Sequence, residues 1–232
     1  MTENYHAHRL TLSANRQVAL FVPRRIQANA PVLILAHGAG ADVSSEFFQL
    51  LDAGLARFPL NRLYFNFPYR VAGKKMPDRL PVLQESWRAV IQWVIAELAS
   101  FPVFIGGKSM GGRIASTIAG EYPFLKGLIF LGYPLHPPGK PNALRDAHLY
   151  PLPFPMLFVQ GTRDSLAQFE LIRQVVGKLG KQATMVVVEQ GDHSFKIPRK
   201  AGKTYREVLY WVSERMFQWI EQINRNEDET GG

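Results

Sequence analysis

A serine within a glycine-rich turn is the residue of this chain whose setting predicts chemistry most directly. The segment Gly107-Lys108-Ser109-Met110-Gly111 has the spacing Gly-x-Ser-x-Gly, and residues 103–105 before it are apolar. After Ser109, apolar and small residues recur at helical spacing, so a short strand leads through the serine into a helix. Such a turn holds a serine in a strained conformation with its hydroxyl exposed, and glycines fit where strand and helix pass too closely for side chains. We therefore predict that Ser109 is a nucleophile.

Two other interpretations of this segment are weaker. A phosphate-binding loop, Gly-x-x-x-x-Gly-Lys-Ser/Thr, shares the letters Gly107-Lys108-Ser109, but it requires a glycine at position 102, where this chain has Pro102. The other interpretation gives the glycines a packing role alone and makes Ser109 the N-cap of the helix. The remainder of the chain argues against this packing interpretation, because it supplies partners for the serine.

A nucleophilic serine needs a base and an acid that orients the base, and both follow it in the chain. Of the six histidines, only His193 lies beyond a candidate acid that itself ends a strand. That acid is Asp164, which follows the apolar run 156–160, whereas His193 follows a second run, 183–188. Parallel strands bring their carboxyl ends to one edge of a sheet, so we expect the three side chains to meet there.

The other histidines, and the acid next to the predicted base, have weaker claims to a catalytic role. Asp192 adjoins that base in the sequence, and neighbouring side chains usually diverge, so we assign it to turn chemistry. His136 and His148 lie in a proline-rich connection and are expected at the surface or at the rim of a pocket. His6 and His8 fall in an N-terminal arm without chemistry.

A second glycine-rich turn, His37-Gly38-Ala39-Gly40, follows the apolar run 32–36. Backbone N–H groups in a turn of this kind stabilise the negatively charged oxygen that forms during acyl transfer. We predict an oxyanion hole made by the N–H groups of Ala39 and Met110, with Gly40 as an alternative to Ala39. The histidine that opens the turn is expected to brace the loop by hydrogen bonds.

Taken together, these stretches resemble the α/β-hydrolase superfamily over nearly the whole chain. The resemblance is greatest to small bacterial hydrolases that lack a lid and are related to dienelactone hydrolases. The matching stretches are His37-Gly38-Ala39-Gly40, Phe67-Pro68-Tyr69, residues 106–113, Gly161-Thr162-Arg163-Asp164 and Asp192-His193-Ser194-Phe195. Dienelactone hydrolases use a cysteine nucleophile and this chain has no cysteine, so their substrate is not implied.

The expected fold is a three-layer α/β/α sandwich with a twisted, mostly parallel sheet and an antiparallel N-terminal edge. We expect one domain over residues 1–232, in which residues 1–9 and 225–232 are flexible. Residues 10–12 and 18–22 predict an opening hairpin. The further predicted strands are 32–36, 62–67, 103–106, 127–132, 156–160 and 183–188, and the predicted helices are 45–58, 83–98, the helix after Ser109, 169–179 and 204–224.

Composition argues against several classes of protein. No apolar run approaches the ~20 residues of a membrane span, and the first residues lack the layout of a signal peptide. The absence of cysteine excludes disulfides and Cys-ligated metals, and we predict neither a metal nor a cofactor. The net charge of +8 comes with no nucleic-acid motif, although Lys74, Lys75 and Arg79 are candidates for favouring an anionic substrate. We expect a cytoplasmic protein, monomeric or a small homo-oligomer, that binds neither nucleic acid nor membrane.

The short, proline-rich segment 133–155 leaves no room for a helical lid, so the site should be open. We expect its walls to be residues 37–42, 67–80 and 133–155. Such a site suits a small ester, thioester or related acyl substrate, cleaved by a serine hydrolase through an acyl-enzyme. The alternative is a non-catalytic binding or scaffold protein on the same fold, a role to which the resemblance also extends among eukaryotic relatives.

Overall fold

The computed structural model describes residues 4–230, in which eight strands form one sheet. The strands are β1 (Tyr5–Thr11), β2 (Gln17–Pro23), β3 (Val32–Ala36), β4 (Asn61–Asn66), β5 (Val103–Lys108), β6 (Leu125–Leu131), β7 (Met156–Gly161) and β8 (Ala183–Val188). The helices are α1 (Glu46–Leu55), α2 (Pro68–Val71), α3 (Leu80–Leu98), α4 (Met110–Ser116), α5 (Phe169–Leu179) and α6 (Tyr205–Thr230). The strand order is β1-β2-β4-β3-β5-β6-β7-β8.

The sheet is parallel from β4 to β8 and antiparallel at the edge that β1 and β2 form. This confirms the mostly parallel sheet with an antiparallel N-terminal edge. Residues on β3 alternate between two hydrophobic cores, with Ile34 packed on one face of the sheet and Leu33 and Leu35 packed on the other. Helices α3, α4 and α5 cover the first face, and α1 and α6 cover the second. The three-layer α/β/α architecture is therefore also confirmed.

Both ends of the chain are more regular than the sequence indicated. Residues 5–9, assigned to a flexible arm that carries His6 and His8, form most of β1 and pair with β2. The side chain of Tyr5 is buried and its ring lies 5.7 Å from that of Tyr64, which anchors this edge strand to the core. At the other end, α6 runs on to Thr230. Residues 1–3 and 231–232 of the segments predicted as flexible lie outside the described residues.

The strand order reverses between β3 and β5. From β3 the chain moves to β4 on one side, and from β5 it moves through β6 and β7 to β8 on the other side. In open α/β sheets the connections diverge at such a reversal and leave a crevice outside the carboxyl ends of the strands. The turn after β3 and the turn after β5 both open into this crevice.

Candidate active site

Ser109 stands between β5 and α4 in a strained backbone conformation. Its φ of 51° and ψ of −117° fall where residues other than glycine are rarely found. The N–H of Ser109 donates to the carbonyl of Leu131 at 3.0 Å, and its own carbonyl accepts the N–H of Arg113 at 3.1 Å. These two bonds tie the turn to β6 and to α4. The hydroxyl does not cap α4, which removes the N-cap role considered for it.

The glycines around Ser109 are required by a neighbouring strand. A Cβ atom on Gly107 or on Gly111 would collide with the backbone of Ala36 at the end of β3. The sequence pattern predicts that these two glycines relieve a clash between β5 and α4. That clash falls on Gly112 instead, where a Cβ would lie 2.7 Å from the carbonyl oxygen of Gly107. The close approach of β3 brings the turn at residues 37–40 beside the serine.

The structure brings together the three side chains that the sequence nominated. The Nε2 atom of His193 lies 2.8 Å from the Oγ of Ser109, and its Nδ1 lies 2.7 Å from the Oδ2 of Asp164. Asp164 follows β7 and is only 4% exposed, and His193 follows β8. In the tautomer with the ring hydrogen on Nδ1, that atom donates to the carboxyl oxygen and Nε2 accepts from the serine hydroxyl.

Gln160 is a site residue that the sequence analysis missed. It is fully buried at the end of β7, where its amide Nε2 donates to the Oδ2 of Asp164 at 2.6 Å and its Oε1 accepts the N–H of Tyr133 at 3.0 Å. The N–H of Leu166 donates to the other carboxylate oxygen at 2.8 Å. With these bonds the acid is fixed in orientation before any substrate binds. The available signal was a polar side chain inside the otherwise apolar run 156–160.

Asp192 and His37 hold the turns on either side of the site. The Oδ1 of Asp192 accepts the N–H groups of Ser194 and Lys196 at 2.8 and 2.9 Å, in agreement with its assignment to turn chemistry. His37 is buried, its Nδ1 donates to the carbonyl of Gly38 at 2.8 Å, and its Nε2 accepts the N–H of Phe67 at 3.1 Å. Burial lowers the pKa of His37 to about 4, so the ring is neutral at physiological pH. It braces the turn after β3.

The two histidines of the proline-rich connection do not reach Ser109. His136 was expected at the surface or at the rim of a pocket, but it is 2% exposed and lines neither cavity beside Ser109, and its Nδ1 donates to the carbonyl of Pro137 at 3.0 Å. It is buried because its connection packs into the protein instead of lying over it. His148 is partly buried, and its Nε2 lies 2.8 Å from the Oγ of Ser116. Both histidines hold the connection in place.

The two residues nominated for the oxyanion hole, Ala39 and Met110, border the space beside Ser109. Ala39 and Met110 both line a cavity that also includes Ser109. Within the described chain neither N–H has a hydrogen-bond acceptor, so both are available to an oxygen atom in that cavity. Gly40, the alternative to Ala39, does not line it.

Two cavities flank Ser109, and both are also lined by Ala39 and Leu166. The one we name the histidine-side cavity has a volume of about 370 Å³ and is lined by Phe47, Phe48, Lys108, His193, Ser194 and Tyr205, among others. The one we name the arginine-side cavity has a volume of about 430 Å³ and is lined by Leu80, Leu83, Met110, Arg113, Pro134 and Arg145, among others.

Of the walls predicted from the sequence, residues of the segment 37–42 line both cavities. Residues of the segments 67–80 and 133–155 line the arginine-side cavity. The histidine-side cavity is bounded in addition by the start of α1 and by residues between 193 and 205, which were not predicted as walls. The site is thus open on both sides of the serine.

Lys108, which directly precedes Ser109, is the second residue that the sequence analysis missed. The residue is only 7% exposed, and its Nζ has no hydrogen-bond partner among residues 4–225. The Nζ atom lies 5.8 Å from the ring centre of Phe47 and 6.0 Å from that of Phe195. Burial lowers the pKa of Lys108 to about 8, against the opposing effect of the Asp164 and Asp192 charges.

The chain belongs to the α/β-hydrolase domain family, whose model matches residues 29–221. Solved structures with the same fold include a serine hydrolase without a lid from Xanthomonas campestris, with 19% identity, coverage of 93% of this chain and 96% of that one, and a TM-score of 0.68. A dienelactone hydrolase from Anabaena variabilis shares 17% identity over 94% and 97% of the two chains, with a TM-score of 0.68. An esterase from Pyrococcus furiosus shares 15% over 92% of each, with a TM-score of 0.72. These findings confirm the resemblance that the motifs indicated.

Two kinds of feature are absent from the part of the chain that the structure describes. No helix there has the length and apolar character to cross a membrane. Nor do three or more histidine, aspartate or glutamate side chains come together there in a way that could hold a metal ion.

Proposed function

We propose that the protein is a serine hydrolase that cleaves a small ester, thioester or related acyl substrate through an acyl-enzyme. The observation that carries the proposal is the line of hydrogen bonds from Ser109 through His193 to Asp164, which starts at a strained turn. Membership of the α/β-hydrolase family supports the same class of reaction. The esterase and the serine hydrolase among its structural neighbours are consistent with it.

In the proposed acylation step, the Oγ of Ser109 attacks the carbonyl carbon of the substrate while the Nε2 of His193 takes the hydroxyl proton. Asp164 keeps the imidazole in the required tautomer and stabilises the imidazolium ion that forms. The carbonyl oxygen becomes negatively charged and accepts hydrogen bonds from the N–H groups of Ala39 and Met110. The imidazolium then gives its proton to the leaving alcohol or thiol as the bond to the acyl group breaks.

In the proposed deacylation step, a water molecule replaces the leaving group beside the imidazole. The Nε2 of His193 takes a proton from this water as its oxygen attacks the acyl carbon. The second tetrahedral intermediate collapses with release of the carboxylic acid, and the proton returns to the Oγ of Ser109. Overall, the acyl–oxygen or acyl–sulfur bond and one O–H bond of water are broken, and the acyl–OH bond and the O–H or S–H bond of the released alcohol or thiol are formed.

Labelling with a fluorophosphonate probe tests the proposed nucleophile. The natural protein should become covalently labelled, whereas Ser109→Ala should not, because the probe reacts with an activated serine hydroxyl. On an activated ester, Ser109→Ala and His193→Ala should each lose about 10⁴-fold in kcat, and the double variant should be scarcely worse than either single variant. Mass spectrometry of labelled peptides and initial-rate kinetics supply the two measurements.

The exposed Ser100 provides a matched control, because Ser100→Ala removes a hydroxyl from the surface away from the site. Its labelling and turnover should equal those of the natural protein. Absence of labelling in the natural protein, together with ester turnover that Ser109→Ala does not reduce, would favour a non-catalytic binding protein on this fold.

A further inference from the structure

Arg113 and Arg145 both line the arginine-side cavity beside Ser109. Arg113 lies on α4 one turn after the serine, and Arg145 lies in the connection between β6 and β7. Both side chains are partly buried. Burial lowers the pKa of Arg113, and the positive charge of Arg145 lowers it further. The two cations are therefore close enough to repel each other.

Neither of these arginines has an ion-pair partner among residues 4–225, and the Nε of Arg113 is enclosed by protein without a hydrogen-bond partner there. Several arginines elsewhere in the protein do pair with a carboxylate, at 2.7 to 2.9 Å: Arg62, Arg70, Arg88 and Arg173. A partly desolvated cation without a counter-charge costs free energy. A negatively charged ligand group in this cavity would remove that cost.

Acidic side chains close to the two arginines have other partners. Asp78 also lines the arginine-side cavity, and its Oδ2 accepts the N–H of Tyr69 at 2.9 Å. Asp146 follows Arg145 in the sequence, and its Oδ2 accepts the hydroxyl of Tyr150 at 2.6 Å. Among residues 4–225, neither acid forms an ion pair with Arg113 or Arg145.

The backbone that carries Arg145 is held in place. Its N–H donates to the carbonyl of Leu135 at 2.8 Å, and its carbonyl accepts the hydroxyl of Tyr133 at 2.6 Å. The ring of Tyr133 packs in turn at 5.1 Å from that of Phe130 and at 5.8 Å from that of Phe158. A binding group on a fixed backbone loses little freedom when its ligand arrives.

The position of the base decides which part of the substrate meets the arginines. His193 lines the histidine-side cavity and not the arginine-side cavity. Because its imidazolium must hand a proton to the leaving group, the leaving group belongs on the histidine side. The acyl chain then extends into the arginine-side cavity, past the apolar side chains of Leu80 and Leu83.

We infer that the substrates are monoesters or monothioesters of short dicarboxylic acids, whose free carboxylate is bound by Arg113 and Arg145. This inference rests on the proposed serine-hydrolase function and names its substrate class. A guanidinium group offers parallel N–H donors that match the two oxygens of a carboxylate. The basic residues that the sequence suggested for an anionic substrate, Lys74, Lys75 and Arg79, line neither cavity.

Matched pairs of esters test the inference. The mono-p-nitrophenyl esters of succinate, glutarate and adipate are each compared with the neutral p-nitrophenyl ester of equal acyl carbon number, after subtraction of spontaneous hydrolysis. The natural protein should prefer the best charged ester in kcat/KM by about 10- to 100-fold, the worth of hydrogen bonds to a charged group. Arg113→Met and Arg145→Met should each remove most of that ratio, and Arg113→Lys should keep part of it.

Arg173→Met is the matched control, because it removes the same charge from an exposed ion pair on α5. It should leave the ratio of charged to neutral kcat/KM unchanged. Binding of glutarate to the Ser109→Ala protein, measured by calorimetry, provides a readout that does not need turnover. The added substitution Arg113→Met should weaken that binding by about 10-fold.

The outcomes separate this inference from the function on which it rests. Equal kcat/KM values for charged and neutral esters, or a preference that survives both methionine substitutions, overturn the dicarboxylate assignment while ester cleavage dependent on Ser109 still stands. If no ester is cleaved in a manner that depends on Ser109, the hydrolase proposal fails. Binding of glutarate that is insensitive to Arg113 and Arg145 rejects the anion site independently of catalysis.

Discussion

At the scale of single residues, Lys108 carries a positive charge into the interior next to the proposed nucleophile. Transfer of an ammonium group out of water is costly, and here no hydrogen bond within the described chain offsets the cost. The negative charges of Asp164 and Asp192 act in the opposite direction but do not restore the ordinary pKa. The rings of Phe47 and Phe195 contribute a weaker attraction to the cation. The folded protein therefore holds this charge at the expense of its stability.

Lys108→Met should stabilise the protein most at neutral pH. The fall of the Lys108 pKa from 10.5 to about 8 corresponds to about 3 kcal/mol. Between these values the unfolded chain keeps the proton that the folded protein has released, so the free energy of unfolding of the natural protein rises with pH. The gain from the substitution should reach about 3 kcal/mol at about pH 7 and fall to about 1 kcal/mol at about pH 9.5.

Urea unfolding at the two pH values measures this gain, and Lys178→Met provides an exposed control with the same change of charge. The control should shift the free energy of unfolding little at either pH. A gain from Lys108→Met that is the same at both pH values would mean that packing, and not the charge, sets the cost.

Local sequence patterns identified the site residues that lie in turns after strands, but they did not identify the site residues that lie within strands. Ser109, Asp164 and His193 stand in turns whose chemistry and order along the chain can be read without knowledge of the fold. Gln160 and Lys108 are polar residues inside buried strands, and what each one contacts depends on which strands become neighbours. That information is not contained in a local pattern, although a polar side chain in an apolar run already marks a position to examine.

At the scale of elements, the pairing of β3 with β5 determines the geometry of the site. Leu35 lies opposite Gly106, and Ala36 lies opposite Gly107, so the ends of the two strands are in register. The turn that contains Ala39 therefore emerges beside the turn that contains Ser109. Nucleophile and oxyanion-hole donors can then serve one carbonyl group.

Gly107→Ala should disrupt this pairing. The added methyl group would meet the backbone of Ala36, which cannot move without breaking the ladder between β3 and β5. We expect a loss of about 3 kcal/mol or more in the free energy of unfolding, at the upper end of the cost of overpacking. Thermal or urea unfolding measures it.

Gly177→Ala is the matched control, because a Cβ on this helical glycine would meet nothing within 4 Å. Alanine is the better helix former, so this variant should gain about 0.5 to 1 kcal/mol. If Gly107→Ala were as stable as the natural protein, β3 and β5 would not approach each other as closely as described.

Elements with a long or strongly apolar pattern were placed well, and short ones were not. The strand at residues 32–36 has the predicted bounds because five apolar residues stand between turn signals. Helix α2, by contrast, was not predicted, since its four residues are too few to show a helical period. The first half of β1 was missed because an edge strand that is exposed on one side gives a weak pattern, and its partner β2 fixes it.

At the scale of the whole molecule, the connection between β6 and β7 forms a wall of the site and not a cover. Residues 132–155 contain neither a helix nor a strand. Leu135 and Leu149 are fully buried, and Leu152 and Phe154 are nearly so, which anchors the connection in the core beside α4. Its length and composition predicted the absence of a lid, but the contacts of Arg145 within it could not be inferred, because they depend on how a long irregular segment packs.

An open site of this kind should limit the useful length of an acyl chain. Each methylene that leaves water for an apolar surface contributes about 0.8 kcal/mol, but only while the cavity continues to enclose it. In neutral p-nitrophenyl esters, kcat/KM should therefore rise over short acyl chains, peak at roughly two to six carbons and then stop rising. The rate should also show no jump when the substrate passes its critical micelle concentration, because no helical cover has to be displaced. Initial rates across a series of acyl lengths, with one ester followed through that concentration, measure both effects. A continued rise to long chains, or activation at the micelle boundary, would require that the connection between β6 and β7 reorganise into a cover over Ser109.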